Sequence, residues 1–246
     1  MSIGKYIIGD SREELSKLYD ERGQFVDLVI TSPPYNMGKP YDNYDDFMLK
    51  DEYHDLLTGV FSACSRVLKP DGRLAINMPM HLPAILENPI PFMEDVLNES
   101  DLELYTYIVW IKANKSGQAF TGGGGTGWGS WMSASSPAIR SYGELILFAY
   151  KNKWKKEDRG VSDMTKQEFM QYTQNVWFFP TSRSKDHPAT FPKELPYRCM
   201  KLLSYVGDTV LDPFAGIGTT MTVANEINRK SIGIDLSQSY KDVYLQ

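Results

Sequence analysis

Two periodicities of apolar residues divide the chain into strands and helices that alternate along its length. Lys5-Tyr6-Ile7-Ile8-Gly9-Asp10 reads as a short strand ending in an acid, and Ser11-Arg12-Glu13-Glu14 has the spacing of a capping box that opens a helix through Leu15 and Leu18. Phe25-Val26-Asp27-Leu28-Val29-Ile30 is apolar enough for a strand buried on both faces, the habit of a parallel sheet. It runs directly into Ser32-Pro33-Pro34-Tyr35, where two prolines stop the hydrogen-bond ladder and stiffen the exit. Tyr53, Leu56, Leu57, Val60, Phe61 and Cys64 recur at helical spacing, Lys69-Pro70-Asp71-Gly72 makes a turn, and residues 73–77 form the next strand. Residues 91–100 read as a short helix, and residues 104–111 and 144–150 as strands. A helix is predicted from His187 to about Tyr205, with Pro192 tolerated in its first turn. Near the end, strand 208–212 enters a Gly-x-Gly turn, a helix follows from Thr219 to Ile227, and strand 231–235 ends in Asp235. This alternation predicts an α/β fold with a doubly wound, mostly parallel sheet.

Chemistry is expected where such strands end, because ligands of open α/β sheets bind beyond the strands' carboxyl ends. The corner Ser32-Pro33-Pro34-Tyr35 suits methylation of an exocyclic amino nitrogen, a poor nucleophile whose lone pair is delocalised into its ring. The Ser32 hydroxyl and the Pro33 carbonyl can accept its two N–H bonds, Pro34 adds no competing N–H, and the Tyr35 ring can stack on an extruded base. An isolated corner of this kind is equally compatible with a plain strand end and a core tyrosine. The second unit is Asp212-Pro213-Phe214-Ala215-Gly216-Ile217-Gly218-Thr219, a strand-turn-helix followed by strand 231–235. Asp235 lies about 20 residues beyond Gly216, the interval expected of an acid that binds ribose hydroxyls. Met221 stands where a third fingerprint glycine would be, which favours a nucleoside without a pyrophosphate, such as S-adenosylmethionine.

Phe214-Ala215-Gly216-Ile217-Gly218 and Ser32-Pro33-Pro34-Tyr35 together resemble the hallmark pair of the β-class amino-methyltransferases of DNA, which make N4-methylcytosine or N6-methyladenine. The catalytic corner precedes the cofactor loop, the permuted order of that class. The resemblance implies a single Rossmann-like S-adenosylmethionine-dependent methyltransferase domain over residues 1–246. It places the target base at Ser32, Pro33, Pro34 and Tyr35. It places the cofactor at Asp212, Phe214, Ala215, Gly216, Gly218, Thr219 and Asp235, with Asp10 at the adenine amino group. Thr190 and Phe191, within His187-Pro188-Ala189-Thr190-Phe191-Pro192, would lie against its methionine part. The implied partner is double-stranded DNA, bound by a monomer or homodimer, beside a cognate restriction endonuclease that need not touch it. The serine in the corner is the form most often found in N4-cytosine enzymes, so cytosine N4 is the expected target.

Two loops carry the expected DNA contacts. Residues 116–136 are nearly all glycine, serine and threonine around Trp128 and Trp131, with Arg140 just beyond, and are read as a flexible loop that orders on DNA. Residues 152–185 are the candidate target-recognition insert. At its start Lys153, Lys155 and Lys156 surround Trp154, a pattern suited to phosphate contact and stacking, or to a solvated charged turn. The acidic stretch 36–55 is read as a solvated loop, with closure over the cofactor as the alternative.

Composition narrows the classes further. The chain has 246 residues and a formal charge of −5, which lowers the expectation of nucleic-acid binding without excluding local basic patches. Cys64 and Cys199 have no metal-ligand spacing, so no metal is expected, and no Pro-Cys context for carbon-5 methylation; both read as core thiols. No run of about 18 apolar residues could span a membrane and no signal pattern opens the chain, so a cytoplasmic protein is expected. RNA or protein-glutamine amino-methyltransferases, a nicotinamide oxidoreductase and a catalytically silent DNA-binding module remain as alternatives.

Overall fold

The computed structural model describes residues 4–82, 87–112, 129–139, 141–182 and 184–246. In chain order its elements begin with β1 (Lys5–Ile8), α1 (Ser11–Arg22), β2 (Val26–Thr31), the hairpin β3 (Pro40–Tyr41) and β4 (Tyr44–Asp45), α2 (Lys50–Val67) and β5 (Leu68–Pro79). There follow α3 (Pro89–Glu99), β6 (Glu103–Lys112), β7 (Gly143–Tyr150), α4 (Lys166–Tyr172) and β8 (Val176–Phe179). The chain closes with α5 (Glu194–Leu203), β9 (Thr209–Asp212), α6 (Thr219–Glu226), β10 (Lys230–Asp235) and α7 (Gln238–Tyr244). No helix among the described residues is long and apolar enough to cross a membrane.

The large sheet has the order β1-β10-β9-β2-β5-β7-β6-β8. Every neighbouring pair in it is parallel except the two made by β7, which runs against β5 and β6. All six residues of β2 are buried, Asp27 and Thr31 included, and its four apolar side chains divide between two cores. Val29 faces a layer in which α1, α2 and α3 bury Leu15, Leu57, Phe61 and Met93. Leu28 and Ile30 face the other layer, where α5 and α6 bury Leu195, Cys199, Met200 and Val223. Each such side chain contributes about 1.5–3 kcal/mol relative to an exposed one. Both cysteines are free and buried, and burial pushes their thiols up.

Several local expectations change. Asp10, not Ser11, caps α1: its carboxylate accepts the Arg12 N–H at 2.8 Å, because aspartate one position earlier is itself a strong N-cap. The Ser11 hydroxyl instead donates to the Pro213 carbonyl. Residues 69–72 bulge out within β5: Val26 pairs with Leu68 and Leu28 with Arg73, so the expected turn becomes an irregularity in a continuous strand. Helix α5 starts at Glu194, later than expected from the histidine-proline segment. Unanticipated are the hairpin, α4, β8 and α7, all short. Met221, in the place of the third glycine, is accommodated from the strand side. Gly233 of β10 lies so close that an added Cβ would meet the Met221 sulfur at 2.2 Å.

Candidate functional site

The carboxyl ends of β1, β2, β5, β9 and β10, together with the start of β7, surround a cavity of about 800 Å³, within the range of small-molecule sites. Because β7 runs antiparallel, its first residues, Gly143 and Glu144, arrive at the same rim as the last residues of its neighbours.

On one side the proline corner turns out of β2. The Tyr53 hydroxyl of α2 donates to the Pro34 carbonyl at 2.7 Å and fixes it. The Ser32 hydroxyl donates to the Tyr35 oxygen at 2.9 Å, and the Tyr35 hydroxyl donates to Glu144 Oε2 at 3.2 Å. Asn77, from the end of β5, donates through Nδ2 to the Tyr35 oxygen at 2.8 Å and to Glu144 Oε2 at 2.6 Å. Lys112, at the end of β6, forms an ion pair with Glu144 Oε1. Burial, reinforced by the Glu144 charge, raises the Tyr35 hydroxyl well above its ordinary pKa, so it stays protonated and donates.

On the other side the Gly-x-Gly turn meets the ends of β1 and β10. Gly216 has φ 50° and its N–H donates to Asp235 Oδ2 at 2.8 Å, while Ser237 N–H donates to Oδ1 at 3.0 Å. Burial raises the Asp235 pKa, although those N–H bonds oppose the shift. A Cβ on Gly216 would lie 2.9 Å from His187 Nε2, so the turn must stay bare there. His187 accepts the Ala189 N–H through Nδ1, and burial lowers its pKa to about 4, which keeps the ring neutral near pH 7. The ring packs between Tyr41 and Tyr240.

The acidic stretch is ordered rather than simply solvated. Asp46 is buried and its carboxylate gathers the N–H groups of Asn36, Met37 and Lys39. Asp42, at the hairpin tip, accepts the hydroxyls of Ser237 at 2.7 Å and Ser239 at 2.9 Å. The hairpin is thereby tied to the start of α7, and Tyr41, Asp42 and Tyr44 line the cavity.

Of the positions expected from sequence, Ser32, Pro33, Pro34, Tyr35, Asp10, Thr190, Phe191, Phe214, Ala215, Gly216, Thr219 and Asp235 line this one cavity. Asp212 does not. It is 1% exposed, its carboxylate takes the hydroxyls of Thr31 and Thr220 at 2.7 Å each and the Phe214 N–H, and burial pushes its pKa up to about 6. Its role is to tie β2 to the turn. Gly218 is also spent on packing: it begins α6 with φ 76°, and an added Cβ would meet the Tyr244 ring at 2.4 Å.

The lysine run is placed at the opposite end of the sheet, because it follows the last residue of the antiparallel β7. The expectation of DNA contact through Lys156 is corrected: its side chain is 7% exposed and lies 3.6 Å from both Asp27 and Asp208, beside the starts of β2 and β9. Lys153 pairs with Glu157, and the Trp154 ring is covered by Tyr105 and Arg73. Lys155 is exposed on that same far end. Trp131 is exposed in the described part of the connection between β6 and β7, whereas Trp128 and Arg140 lie outside the described residues. Sequence reasoning missed Asn77, Lys112 and Glu144. Their signal, a polar residue at each strand end beside the corner, becomes readable once the direction of β7 is known.

Residues 26–246 match the family described as DNA methylase. Type II methyltransferase M.MjaVI of Methanocaldococcus jannaschii is 34% identical over 172 residues, covering 68% of this chain and 83% of the relative. DNA adenine methyltransferase YhdJ of Escherichia coli K12 is 32% identical over 245 residues, covering 95% of this chain and 79% of YhdJ. The crystal structure of TTHA0409 from Thermus thermophilus superimposes with a TM-score of 0.73 at 26% identity, covering 98% of this chain and 93% of that one. Its complex with S-adenosyl-L-methionine gives a TM-score of 0.71 at 24% identity, covering 98% of this chain and 91% of that one. The chain with the corner Ser32-Pro33-Pro34-Tyr35 and the glycine turn at residues 214–218 is a member of the DNA methylase family, whose enzymes methylate amino groups at N6 or N4.

Proposed function

We propose that this chain transfers a methyl group from S-adenosylmethionine to the exocyclic N4 of a cytosine flipped out of double-stranded DNA. The observation that carries the reading is the shared cavity, with Ser32 and Tyr35 on one side and Asp10, Gly216 and Asp235 on the other. The cofactor side fits such a ligand. The Asp235 carboxylate accepts the N–H groups of Gly216 and Ser237 and retains lone-pair capacity for a ribose hydroxyl. Asp10 lines the cavity with its carboxylate paired to Arg12, and is proposed to face the adenine amino group. S-adenosylmethionine supplies an electrophilic methyl on a sulfonium: the nitrogen lone pair forms the new N–C bond as the C–S pair returns to sulfur.

The chain's own residues prepare the nitrogen. Since the Ser32 hydroxyl gives its hydrogen to Tyr35, its oxygen lone pairs are available to an incoming N–H, and the Pro33 carbonyl is proposed as the second acceptor. Together they draw the amino group out of conjugation. Locking the Tyr35 hydroxyl to Glu144 orients the ring, so that base stacking needs no further ordering. DNA is proposed to reach the crevice beside Trp131, with Trp128 and Arg140 in the same connection, and residues 152–185 remain the proposed recognition insert. The type II name of the M. jannaschii relative supports a role beside a cognate restriction endonuclease.

Adenine N6 is the second reading, supported by the similarity to the adenine enzyme YhdJ over 95% of this chain. Mass spectrometry of nucleosides from DNA of cells expressing the protein separates the two. N4-methyldeoxycytidine is expected; N6-methyldeoxyadenosine would change the base and keep the reaction, and neither product would remove DNA as substrate.

A further inference from the structure

The base side of the cavity contains a hydrogen-bond chain whose direction is fixed at every link. The Tyr35 oxygen accepts from both Ser32 and Asn77, which uses its acceptor capacity and leaves its own proton to Glu144 Oε2. Asn77 donates to Glu144 Oε2 as well, and Lys112 takes the other oxygen, Oε1, so the carboxylate is held with one oxygen toward the tyrosine. Nothing in the methyl transfer itself requires this acid. A proton, however, has to leave.

On the basis of the amino-methylation reading, we infer that Ser32, Tyr35 and Glu144 form the exit route for the proton lost by the target nitrogen, with Glu144 as terminal acceptor. Once methylated, the nitrogen carries a positive charge and one surplus proton. That proton passes to Ser32 Oγ as the Ser32 proton passes to the Tyr35 oxygen and the Tyr35 proton passes to Glu144 Oε2. Each N–H or O–H bond broken is matched by one formed. Both hydroxyls end as they began, the nitrogen is neutral, and the carboxylate has become a carboxylic acid that returns its proton to water when the site opens. Tyr35 needs no phenolate for this, which agrees with the upward shift that burial imposes on its hydroxyl. Glu144 touches neither base nor cofactor in this route and acts through Tyr35. Among the described residues, the titratable groups facing it include Lys112 of β6, Tyr35 of the corner and, at longer range, Tyr41 of the hairpin.

The test is single-turnover methylation of duplex DNA in light and heavy water with wild type, Glu144→Gln, Tyr35→Phe and the double variant, with S-adenosylmethionine affinity measured by calorimetry as a check on folding. Wild type is expected to slow in heavy water, because several protons move together along the relay. Glu144→Gln should lose that solvent isotope effect and on the order of 100-fold in rate at neutral pH, the lower range for a positioned acid–base group. Tyr35→Phe should lose as much, and the double variant no more than either, because a relay fails as a unit. Cofactor affinity should stay within about twofold. The route is overturned if Glu144→Gln keeps the wild-type rate, if it slows but retains the solvent isotope effect, or if the two losses multiply. A wild type that methylates no DNA removes the underlying reading itself, a failure separable from a methylating wild type with an unaffected Glu144→Gln.

Discussion

Asp163 at the amino end of the sheet and Asp212 and Asp235 at its carboxyl end have their charges answered in opposite ways. At the amino end, Asp163 receives the guanidinium of Arg229 at 2.7 and 2.8 Å and the ammonium of Lys201 at 3.3 Å, and those cations pull its pKa down to about 2. Asp27 likewise holds Lys69 and Lys156. At the carboxyl end, Asp212 and Asp235 are held by N–H and O–H groups, with no ion pair to either among the described residues, and burial raises both. Asp163, closed by cations on both oxygens, has its charge already answered and serves the fold. Asp235, held by neutral donors at the cavity wall, keeps its affinity for further donors, which is what a ligand rich in hydroxyls offers.

Breaking the contrast at the amino end should have the largest effect. Asp163→Ala leaves Arg229, whose side chain is 0% exposed, without its carboxylate, and the cost expected of an orphaned buried charge is about 3–5 kcal/mol. Urea unfolding reads it directly. Because the folded pKa is depressed, this contribution is present above the ordinary aspartate value near 4 and is lost as pH falls toward 2, so the gap between wild type and variant should narrow there. A gap that is small at pH 7 would mean that the pair contributes nothing net. At the carboxyl end, Asp235→Ala should weaken S-adenosylmethionine binding at least tenfold, consistent with about 1.5–3 kcal/mol for a charge-assisted acceptor. Calorimetry showing wild-type affinity would put Asp235 among the structural acids and dissolve the distinction. The smallest effect is expected from Lys153→Gln with Lys155→Gln. Each phosphate contact changes the slope of log affinity against log salt by about 0.9, and this pair, at the far end from the crevice, should leave the slope of DNA binding unchanged. A slope reduced by about two contacts would return the lysine run to the DNA surface.

The features legible along the chain are those fixed by neighbouring residues alone. The corner and the turn are local: Pro33 and Pro34 end a strand by their own covalent geometry, and Gly216 is required by a positive φ. Directions and partners are not local. Lys153-Trp154-Lys155-Lys156 has the composition of a phosphate-binding run, yet its position follows from β7 being antiparallel, a property that periodicity does not encode. Glu144 has the same origin at the other end of the same strand. Asp212 reads as a ligand-binding acid from its place in the motif, and only the distant Thr31, across the sheet on β2, reveals that its carboxylate is occupied. The hairpin escaped notice because residues such as Tyr41 and Tyr44 belong to two-residue strands too short to show alternation.

The antiparallel course of β7 has one more consequence, for the connection that joins it to β6. Strands β6 and β7 stop and start at the same rim, with Trp110 opposite Glu144 and Ile111 opposite Gly143, and the Lys112–Glu144 ion pair fastens the stem at its mouth. The chain between those two residues is therefore anchored at both ends by strands whose register is set elsewhere, along the ladder down to Glu103 and Tyr150. Length and sequence can be exchanged above the stem without moving a ladder hydrogen bond below it. The connection is thus a graft site: a foreign segment joined at Lys112 and Gly143 would start and end beside an unaltered corner.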